Sequence, residues 1–278
     1  MKEIDVSREA KRIAFFLKET FERAGFSQAV IGVSGGVDSA VSLALTVKAL
    51  GENNVFPILM PYGVLNTQGV LDAMEAINQL HIPLTHVVRI DIKPAVDVIV
   101  GKEMLGMDNV RKGNIMARVR MIYLFDQAKK RNALVVGTEN KTEHVLGYFT
   151  RYGDSASDIE PFAHLYKTQV VELAKHLQIP QSILEKPPTA GLWPEQTDEK
   201  DFGFSYKDAD HILSLLYDEK KTIEEVVGVG FDRTLVEKIQ TRVSKNSFKH
   251  TTPYKISPSP LVVLIDSSTG GELKDNVG

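Results

Sequence analysis

Short apolar runs alternate with longer amphipathic segments along the first half of the chain. The apolar runs are rich in branched side chains and predict β-strands at residues 29–33, 55–60, 84–92 and 133–137. Apolar positions at helical spacing predict helices over residues 7–24, 41–50, 67–80 and 113–130, with a further helix beginning near Lys93-Pro94. Strands that alternate with helices in this way form parallel pairs joined by right-handed crossovers. The pattern therefore predicts an α/β fold: an open, mostly parallel twisted sheet with helices on both faces.

The pattern changes after Gly147. Residues 147–158 are rich in glycine, hydroxyl and acidic side chains, which is typical of a long functional loop. Further helices are predicted over residues 168–177, 206–217, 222–227 and 231–245, and prolines mark an extended segment between the first two. No repeat or low-complexity linker divides the chain. Residues 1–278 are therefore predicted to form a single domain, with a mobile tail over about residues 266–278.

A polar turn stands between the first predicted strand and the helix that follows it. Residues 34–39, called the Ser34 loop below, read Ser-Gly-Gly-Val-Asp-Ser. A strand, a glycine turn and a helix N-terminus together point backbone N–H groups at one position, which suits an anion such as phosphate. Glycine matters because a residue without a Cβ atom lets the backbone turn sharply and approach phosphate oxygens. Asp38 repels phosphate, so its carboxylate is interpreted as a ligand for Mg²⁺ that bridges the phosphates.

The same turn has a simpler interpretation, in which Ser34 and Ser39 only cap the helix. It matches neither the Walker A pattern nor the dinucleotide pattern Gly-x-Gly-x-x-Gly. The order Ser-Gly-Gly-x-Asp-Ser directly after a strand resembles the pyrophosphate-binding loop of ATP pyrophosphatases, which cleave ATP between the α and β phosphates. Residues 137–140 follow the fourth predicted strand and should lie at the same edge of the sheet. Two polar groups at one edge favour the nucleotide interpretation.

Charge and composition narrow the classes of function. The chain has 33 Lys and Arg against 36 Asp and Glu, a formal net charge of −3 and no basic run, so nucleic acid is not an expected partner. It contains no cysteine, which excludes disulfides, thiolate metal sites and a cysteine nucleophile. The polar N-terminus and the lack of a long apolar stretch predict a cytoplasmic protein without membrane partners.

Several further segments carry a second, more specific resemblance. Residues 114–120 resemble an Asn-x-x-Ala-Arg-x-Arg helix, residues 137–143 a Gly-Thr-x-Asn-Lys/Arg-x-Glu segment, and residues 147–158 a Gly-Tyr-Phe-Thr-Lys-x-Gly-Asp-Gly-x-x-Asp loop. Leu-Tyr-Lys-Thr-Gln-Val at 165–170, Pro-Thr-Ala-Gly-Leu-Trp at 188–193 and Gln-Thr-Asp-Glu at 196–199 complete the set. From about Ser7 to Lys249, the chain resembles the ammonia-dependent NAD synthetase family.

The resemblance implies a homodimeric ligase that amidates deamido-NAD (nicotinic acid adenine dinucleotide) with ammonia, using ATP and Mg²⁺. The nicotinate carboxylate would attack the α-phosphate of ATP and release pyrophosphate, and ammonia would then displace AMP from the acyl adenylate. Because two anions must meet, positive groups and metal must neutralise the charge that develops. Glutamine-dependent relatives carry an amidase domain with a nucleophilic cysteine, so the lack of cysteine favours free ammonia, although a separate glutaminase subunit stays open.

The resemblance also implies roles for individual residues. ATP would be bound by Gly32, Val33, Ser34, Gly35, Gly36, Val37, Asp38, Ser39, Thr138, Lys167 and Thr189. Deamido-NAD would be bound by Arg118, Arg151, Asp158 and Lys249. Mg²⁺ would be held by Asp38 and Glu143, and the catalytic residues would be Asp38, Lys167 and Asp154, with Asp154 positioning or deprotonating ammonium.

Several of these residues also have plainer interpretations. Arg118 could belong to a solvated helix face, and because Arg120 lies two positions away, at most one of the two is expected to face the site. Lys167 and Glu143 could be ordinary surface charges, and Asp154 could only organise a turn.

Two rival functions share part of the pattern. The first is another ATP pyrophosphatase with the same loop, such as an amidotransferase synthetase subunit or a tRNA-modifying enzyme, which would act on a different substrate. A tRNA-modifying enzyme would need a basic surface to bind its RNA. A non-catalytic adenine-nucleotide-binding protein would explain residues 34–39. It would not explain Glu143, Lys167 and the acidic loop together.

Overall fold

A parallel sheet forms the centre of the molecule. The computed structural model describes residues 3–101, 106–251 and 253–254, and the predicted mobile tail lies outside this range. The described residues form one sheet of four parallel strands in the order β3-β2-β1-β4. The strands are β1 (Gln28–Gly32), β2 (Val55–Leu59), β3 (Val88–Arg89) and β4 (Ala133–Val136). Since β1 pairs with both β2 and β4, the strand that leads into the Ser34 loop is central.

Helices precede, separate and follow the strands. Those up to β4 are α1 (Val6–Ala24), α2 (Val37–Leu50), α3 (Thr67–Gln79), α4 (Lys93–Val100) and α5 (Asn109–Arg131). Those after β4 are α6 (Lys141–Leu146), α7 (Lys167–His176), α8 (Gln181–Leu184), α9 (Asp198–Phe202), α10 (Tyr206–Leu213), α11 (Ile223–Gly228) and α12 (Arg233–Asn246). Among the helices described here, none has the length and apolar character needed to cross a membrane.

Alternate residues of the strands enter two different apolar layers. Ala29 and Ile31 of β1 pack into a layer with helices α1, α2, α3 and α7. Val30, between them, packs on the opposite face with Ile58 of β2, Val135 of β4 and helices α4 and α5. Successive side chains of a strand point to opposite faces, so a strand covered on both sides reads as a continuous apolar run. The predicted fold class, with helices on both faces, is confirmed.

A third apolar cluster contains no strand residue. It consists of side chains from α6, α9, α10, α11 and α12 and from the segments that join them. Helix α7 contacts α2 on the sheet side and α10 on the side of this cluster. The start of α7 is therefore the place where the sheet layers and the helical cluster meet, while the single-domain organisation stays a prediction.

Two predicted elements differ from the structure. The third strand was expected over residues 84–92, but the strand pairing covers only Val88–Arg89, and Leu84–His86 forms a helical turn after Pro83. The helix expected over residues 206–217 is α-helical as far as Leu213 and continues as a π-helical turn over Ser214–Asp218. Apolar spacing reports which residues are buried, and it does not distinguish these neighbouring backbone conformations.

Candidate active site

The Ser34 loop turns on one left-handed glycine. Gly35 has a φ of +79°, and a Cβ atom there would lie 2.1 Å from the carbonyl oxygen of Gly69, in the first turn of α3. Gly36 is extended, with a φ of −95°, and a Cβ atom there would meet only the Ser34 hydroxyl, at 3.4 Å. The fold therefore requires glycine at position 35, whereas at position 36 an added methyl group would have room.

Ser34 and Ser39 hold the loop in shape. The Ser34 N–H donates to Ser39 Oγ at 3.2 Å, and the Ser39 hydroxyl donates to the Gly36 carbonyl at 2.9 Å. Gly36 is the N-cap of α2 and provides no side-chain cap for its first turn. The serines thus brace the loop, as the capping interpretation expects, yet the positive end of α2 remains suited to an anion.

Asp38, Glu143 and Lys167 meet beside this helix end and are called the Lys167 cluster below. Lys167 Nζ donates to Asp38 Oδ2 and to Glu143 Oε1, the second contact at 3.2 Å. The Lys167 side chain is only 4% exposed, so its interpretation as an ordinary surface lysine is wrong. Asn140 Nδ2 donates to Asp38 Oδ1 at 3.0 Å, and Asn140 Oδ1 accepts the Glu143 N–H. The segment after β4 is therefore tied directly to the start of α2.

The backbone of α7 fixes the direction of the lysine. The Lys167 N–H donates to Thr142 Oγ1 at 2.8 Å, and the Thr142 hydroxyl donates to Asp210 Oδ1 at 2.6 Å. The other carboxylate oxygen of Asp210 accepts the Thr168 N–H at 2.8 Å. Asp210, which is fully buried in α10, thus accepts one of the first N–H groups of α7 and fixes the threonine hydroxyl that accepts another. Sequence reasoning did not single out this residue.

The charges of the Lys167 cluster stabilise one another. Burial by itself lowers the pKa of Lys167, but the carboxylates of Asp38 and Glu143 outweigh burial and raise it. Burial also raises the pKa of Glu143, and the charge of Lys167 opposes that rise. Lys167 is therefore an ammonium at neutral pH. At Glu143 burial outweighs the charge of Lys167 and raises the pKa to about 8, and the side chains of Asp38 and Glu143 both converge on the ammonium.

This donor set fits Mg²⁺ that is bound together with phosphates. Within residues 3–101, 106–251 and 253–254, no group of three or more His, Cys, Asp or Glu side chains has the geometry of a metal site. Mg²⁺ in nucleotide sites commonly uses one or two carboxylates and takes its other ligands from water and substrate phosphates. Asp38 and Glu143 supply such a pair, since both contact the same ammonium.

The predicted segments on either side of the Ser34 loop also approach it. Val33, after β1, donates its N–H to the Ile58 carbonyl at 3.0 Å. The carbonyl of Gly137, next to Thr138, accepts the buried Ser42 hydroxyl of α2 at 2.8 Å. Asn66 Nδ2 donates to the Ser34 carbonyl at 3.3 Å, and a Cβ atom on Gly191 would lie 3.9 Å from the same nitrogen. The segment that carries Thr189 therefore runs beside the loop.

Another buried carboxylate, Asp198, connects the cluster to this segment. Asp198 Oδ2 accepts the Tyr206 hydroxyl at 2.9 Å, and Asp198 Oδ1 accepts the Tyr148 hydroxyl and the Ala190 N–H, both at 3.0 Å. The Tyr206 hydroxyl lies 3.5 Å from Glu143 Oε1. Asp198 is the first residue of α9 and was not among the predicted site residues.

Three of the four predicted deamido-NAD residues brace the 147–158 loop or its ends with their side chains, and the fourth, Arg151, lies in that loop. Arg118 Nε donates to the Arg151 carbonyl at 3.3 Å, and Asp158 Oδ2 accepts the N–H of Val135 in β4 at 2.8 Å. Lys249 Nζ donates to the Gly147 and Phe149 carbonyls. These contacts bring the residues around one loop, and their binding roles stay predictions.

Asp154 lies inside the same loop. Its Oδ1 accepts the Thr150 N–H at 3.0 Å, a contact that organises the turn. Helix α5 carries Arg120, whose Nε donates to the Met60 carbonyl at 3.2 Å and whose charge interacts with that of Asp154. The turn role of Asp154 is thus visible, and its role toward ammonium stays a prediction.

The arrangement has the parts of an adenylating site, and its sequence matches a known family. The model of the NAD synthase family matches residues 9–253. This chain belongs to the NAD synthase family. The predicted family is therefore confirmed, and with it the prediction of a ligase that forms NAD by making a C–N bond.

Other members of the family and its structures agree over nearly the whole chain. An NH(3)-dependent NAD(+) synthetase from Fusobacterium nucleatum is 44% identical over 86% of this chain and 91% of its own length. The solved NH3-dependent NAD synthetase from Campylobacter jejuni is 29% identical, covers 92% of this chain and 100% of its own, and has a TM-score of 0.76. An NMN synthetase structure from Francisella tularensis is 32% identical, with coverage of 92% and 99% and a TM-score of 0.79.

This synthase also contains a half-buried acid that sequence reasoning missed. Glu160 follows the 147–158 loop, and its Oε1 lies so close to Gly137 that a Cβ atom there would be 1.9 Å away. Glu160 accepts the Ser157 hydroxyl at 2.6 Å and the Glu139 N–H at 3.0 Å. Burial raises the pKa of Glu160 to about 7. Position 137 therefore requires glycine, because the Glu160 carboxylate occupies the space that a side chain there would need.

Proposed function

We propose that this synthase amidates deamido-NAD with ammonia at the expense of ATP, through an NAD-adenylate, and releases AMP and pyrophosphate. The observation that carries the proposal is the convergence of the Ser34 loop with Asp38, Glu143 and Lys167 at the end of the central strand. Parallel sheets bind ligands beyond the carboxyl ends of their strands, where this group lies. The match to the family model over residues 9–253 supports the same reaction.

The first half-reaction joins two anions. The backbone of the Ser34 loop and the N-terminus of α2 would hold the phosphates that leave as pyrophosphate. An oxygen of the nicotinate carboxylate would bond to the α-phosphorus as the bond from that phosphorus to pyrophosphate breaks. Lys167 would place its positive charge on the oxygens that gain negative charge, since burial keeps water from screening it. Asp38 and Glu143 would hold Mg²⁺, which when bound would neutralise further phosphate charge.

The second half-reaction forms the amide. Ammonia would bond to the acyl carbon, AMP would leave with the electron pair of the acyl–oxygen bond, and the nitrogen would lose a proton. Asp154 is positioned by the Thr150 N–H in the loop that Arg118 and Lys249 brace. We assign Asp154 the role of holding ammonium and accepting its proton, and we assign Arg118, Arg151, Asp158 and Lys249 the binding of deamido-NAD.

The structural similarity to an NMN synthetase supports a second candidate function, the formation of NMN. An enzyme that forms NMN by the same chemistry would start from nicotinate mononucleotide, which lacks the adenylyl half of deamido-NAD. The Francisella structure is 32% identical to this chain, whereas the Fusobacterium NAD synthetase is 44% identical. The higher identity supports the dinucleotide as the preferred substrate.

A second copy of the chain is proposed as a partner. Large apolar side chains remain exposed on helices α4 and α5, which pack together: Val98 is 80% exposed, Val110 62% and Ile122 58%. Apolar area of this kind marks interaction surfaces. We expect light scattering after size exclusion to give the mass of a dimer, and Ile122→Glu to shift the protein toward a monomer. A monomeric wild-type protein would contradict this proposal.

One assay tests the reaction and its substrate. Purified protein is incubated with ATP, MgCl₂ and ammonium chloride, and with either deamido-NAD or nicotinate mononucleotide. We expect NAD and pyrophosphate in equal amounts from the dinucleotide, and slower turnover of the mononucleotide. ADP and phosphate as products, or binding without turnover, would contradict the proposal. Preferred turnover of the mononucleotide would establish the second candidate instead.

A further inference from the structure

Asp198 contacts three separate segments of the site. Its Oδ1 accepts the Ala190 N–H, in the segment that carries Thr189, and the Tyr148 hydroxyl, at the start of the 147–158 loop. Its Oδ2 accepts the Tyr206 hydroxyl, at the first turn of α10. Its own N–H donates to the Pro188 carbonyl at 3.0 Å. A single side chain, only 3% exposed, therefore joins segments that no secondary structure connects.

These contacts connect Asp198 to residues that the proposed reaction uses. The Ala190 and Pro188 contacts lie on either side of Thr189, so they fix the backbone at that threonine. The Tyr206 hydroxyl lies 3.5 Å from Glu143 Oε1, and the Tyr206 ring lies 5.2 Å from Lys167 Nζ. Asp198 is therefore one side chain away from the Lys167 cluster.

We propose that Asp198 is a positioning residue, which aligns the Thr189 segment with the Lys167 cluster so that ATP meets both in one geometry. The inference rests on the function proposed above. Asp198 acts through Ala190 and Tyr206 and needs no contact with substrate. It also connects ATP binding to the loop that begins at Tyr148, although that tyrosine keeps a second contact, since its hydroxyl donates to Asp201 Oδ2 at 2.8 Å.

A purely structural role is a poor explanation for a carboxylate at this position. Asp198 is buried close enough to Asp38 for their negative charges to oppose each other, while Lys167 attracts both. Burial raises the pKa of Asp198, which means that its charged form is costly in the folded protein. An amide has nearly the same shape and would relieve the charge repulsion, although it accepts hydrogen bonds at only one of its two terminal atoms. A charge retained against stability is common where function requires it.

The test separates binding of ATP from stability. Asp198→Asn keeps the shape but cannot accept hydrogen bonds at both oxygens. We expect the KM for ATP to rise about tenfold or more and kcat to fall. The KM for deamido-NAD should change less than about threefold, because the Tyr148 hydroxyl still donates to Asp201. The melting temperature is expected to change little, because relief of the buried charge offsets the lost hydrogen-bond acceptor. Asp201→Asn is the matched control on the same helix, and we expect its kinetic constants to stay within about threefold of wild type.

Tyr206→Phe provides a second, milder variant that removes one hydroxyl. We expect a smaller rise in the KM for ATP, and a double variant no worse than Asp198→Asn alone, because the tyrosine acts through the carboxylate. Asp198→Asn with wild-type constants, or with losses that follow its melting temperature, would overturn the inference, as would additive effects in the double variant. If wild-type protein forms no NAD, the proposed function fails, which is a different result.

Discussion

The Ser34 loop and the Lys167 cluster lie side by side, but they are built in opposite ways. The side-chain contacts within the loop join residues at most five positions apart, such as Ser34 with Ser39, and Asn66 adds one contact from 32 positions away. In the cluster, Lys167 contacts Asp38 across 129 positions of sequence, and Asn140 contacts Asp38 across 102. The loop is thus a property of a short peptide after a strand, whereas the cluster exists only in the folded chain. Local motifs can be recognised in a sequence, and convergent charges have to be seen in a structure.

The largest effect is expected where the two regions share a residue. Asp38 belongs to the Ser34 loop by sequence and to the Lys167 cluster by contact. Asp38→Ala removes a proposed metal ligand, so we expect pyrophosphate release to fall by about 10³-fold or more, roughly 4 kcal/mol on the barrier. The fold should persist, because Lys167 keeps Glu143 as a partner. Circular dichroism and a pyrophosphate assay check both points, and wild-type turnover would show that the metal assignment is wrong.

Replacing the lysine tests the cluster alone. Lys167→Met removes the ammonium but keeps most of the side-chain volume, and we expect kcat to fall by about 10²-fold or more, since developing charge loses its partner. Asp38 and Glu143 would then face each other without a cation. We therefore expect MgCl₂ without ATP to raise the melting temperature of the variant more than that of wild type.

An equal response of the two proteins to MgCl₂ would mean that the carboxylates do not form a common cation site. Lys175→Met, on the exposed part of the same helix α7, is the matched control, and we expect it to behave as wild type in both assays.

A pair of glycine variants tests the loop alone. Gly35→Ala forces a side chain into a left-handed conformation and against the Gly69 carbonyl, so we expect a loss of about 2–4 kcal/mol in the free energy of unfolding. Gly36→Ala has space for its methyl group, and we expect a loss below about 1 kcal/mol. Denaturant unfolding of both variants measures the difference. If Gly36→Ala loses as much stability as Gly35→Ala, the steric explanation for the loop is wrong.

The smallest effect concerns an acid outside both regions. Glu160 has a pKa of about 7 in the folded protein, against 4.5 for an unperturbed glutamate. Because the folded pKa is raised, its contribution to stability is complete below about pH 4.5 and is lost as the pH rises through about 7. Glu160→Gln removes the ionisable group, so the variant does not lose stability as the pH rises through 7. We expect the variant to gain about 2 kcal/mol at pH 8 and almost nothing at pH 4, measured by denaturant unfolding. The same difference at both pH values would contradict the raised pKa.

Sequence reasoning located the sheet and the loop because both depend on local pattern. Strands buried on both faces leave continuous apolar runs, and a left-handed turn leaves a glycine such as Gly35. The third strand was predicted too long because residues 84–86 have the right composition but form a helical turn at the edge of the sheet. Composition does not reveal which backbone groups find a strand partner.

The site was predictable only through its motifs, and the residues behind it were not. Asp38 was identified from its loop, and Glu143 and Lys167 by resemblance. Nothing in the spacing of the three residues required them to touch. Asp198 and Glu160 look like surface acids in the sequence, since burial is what distinguishes them. Asp210 did leave a signal, because Tyr206, Ala209, Asp210 and Leu213 form one buried stripe of α10. A carboxylate within an apolar helical stripe indicates a buried hydrogen-bonding role.

The long separation between Asp38 and Lys167 also sets an order of events during synthesis. A ribosome completes every strand of the described sheet, up to Val136, before the lysine has been added. Domains begin to fold while the chain is still growing. We therefore expect the nascent sheet to form around an acidic centre that still lacks its counterion. Helix α7 then packs on α2 and brings the lysine that neutralises this centre, before α10 has been synthesised.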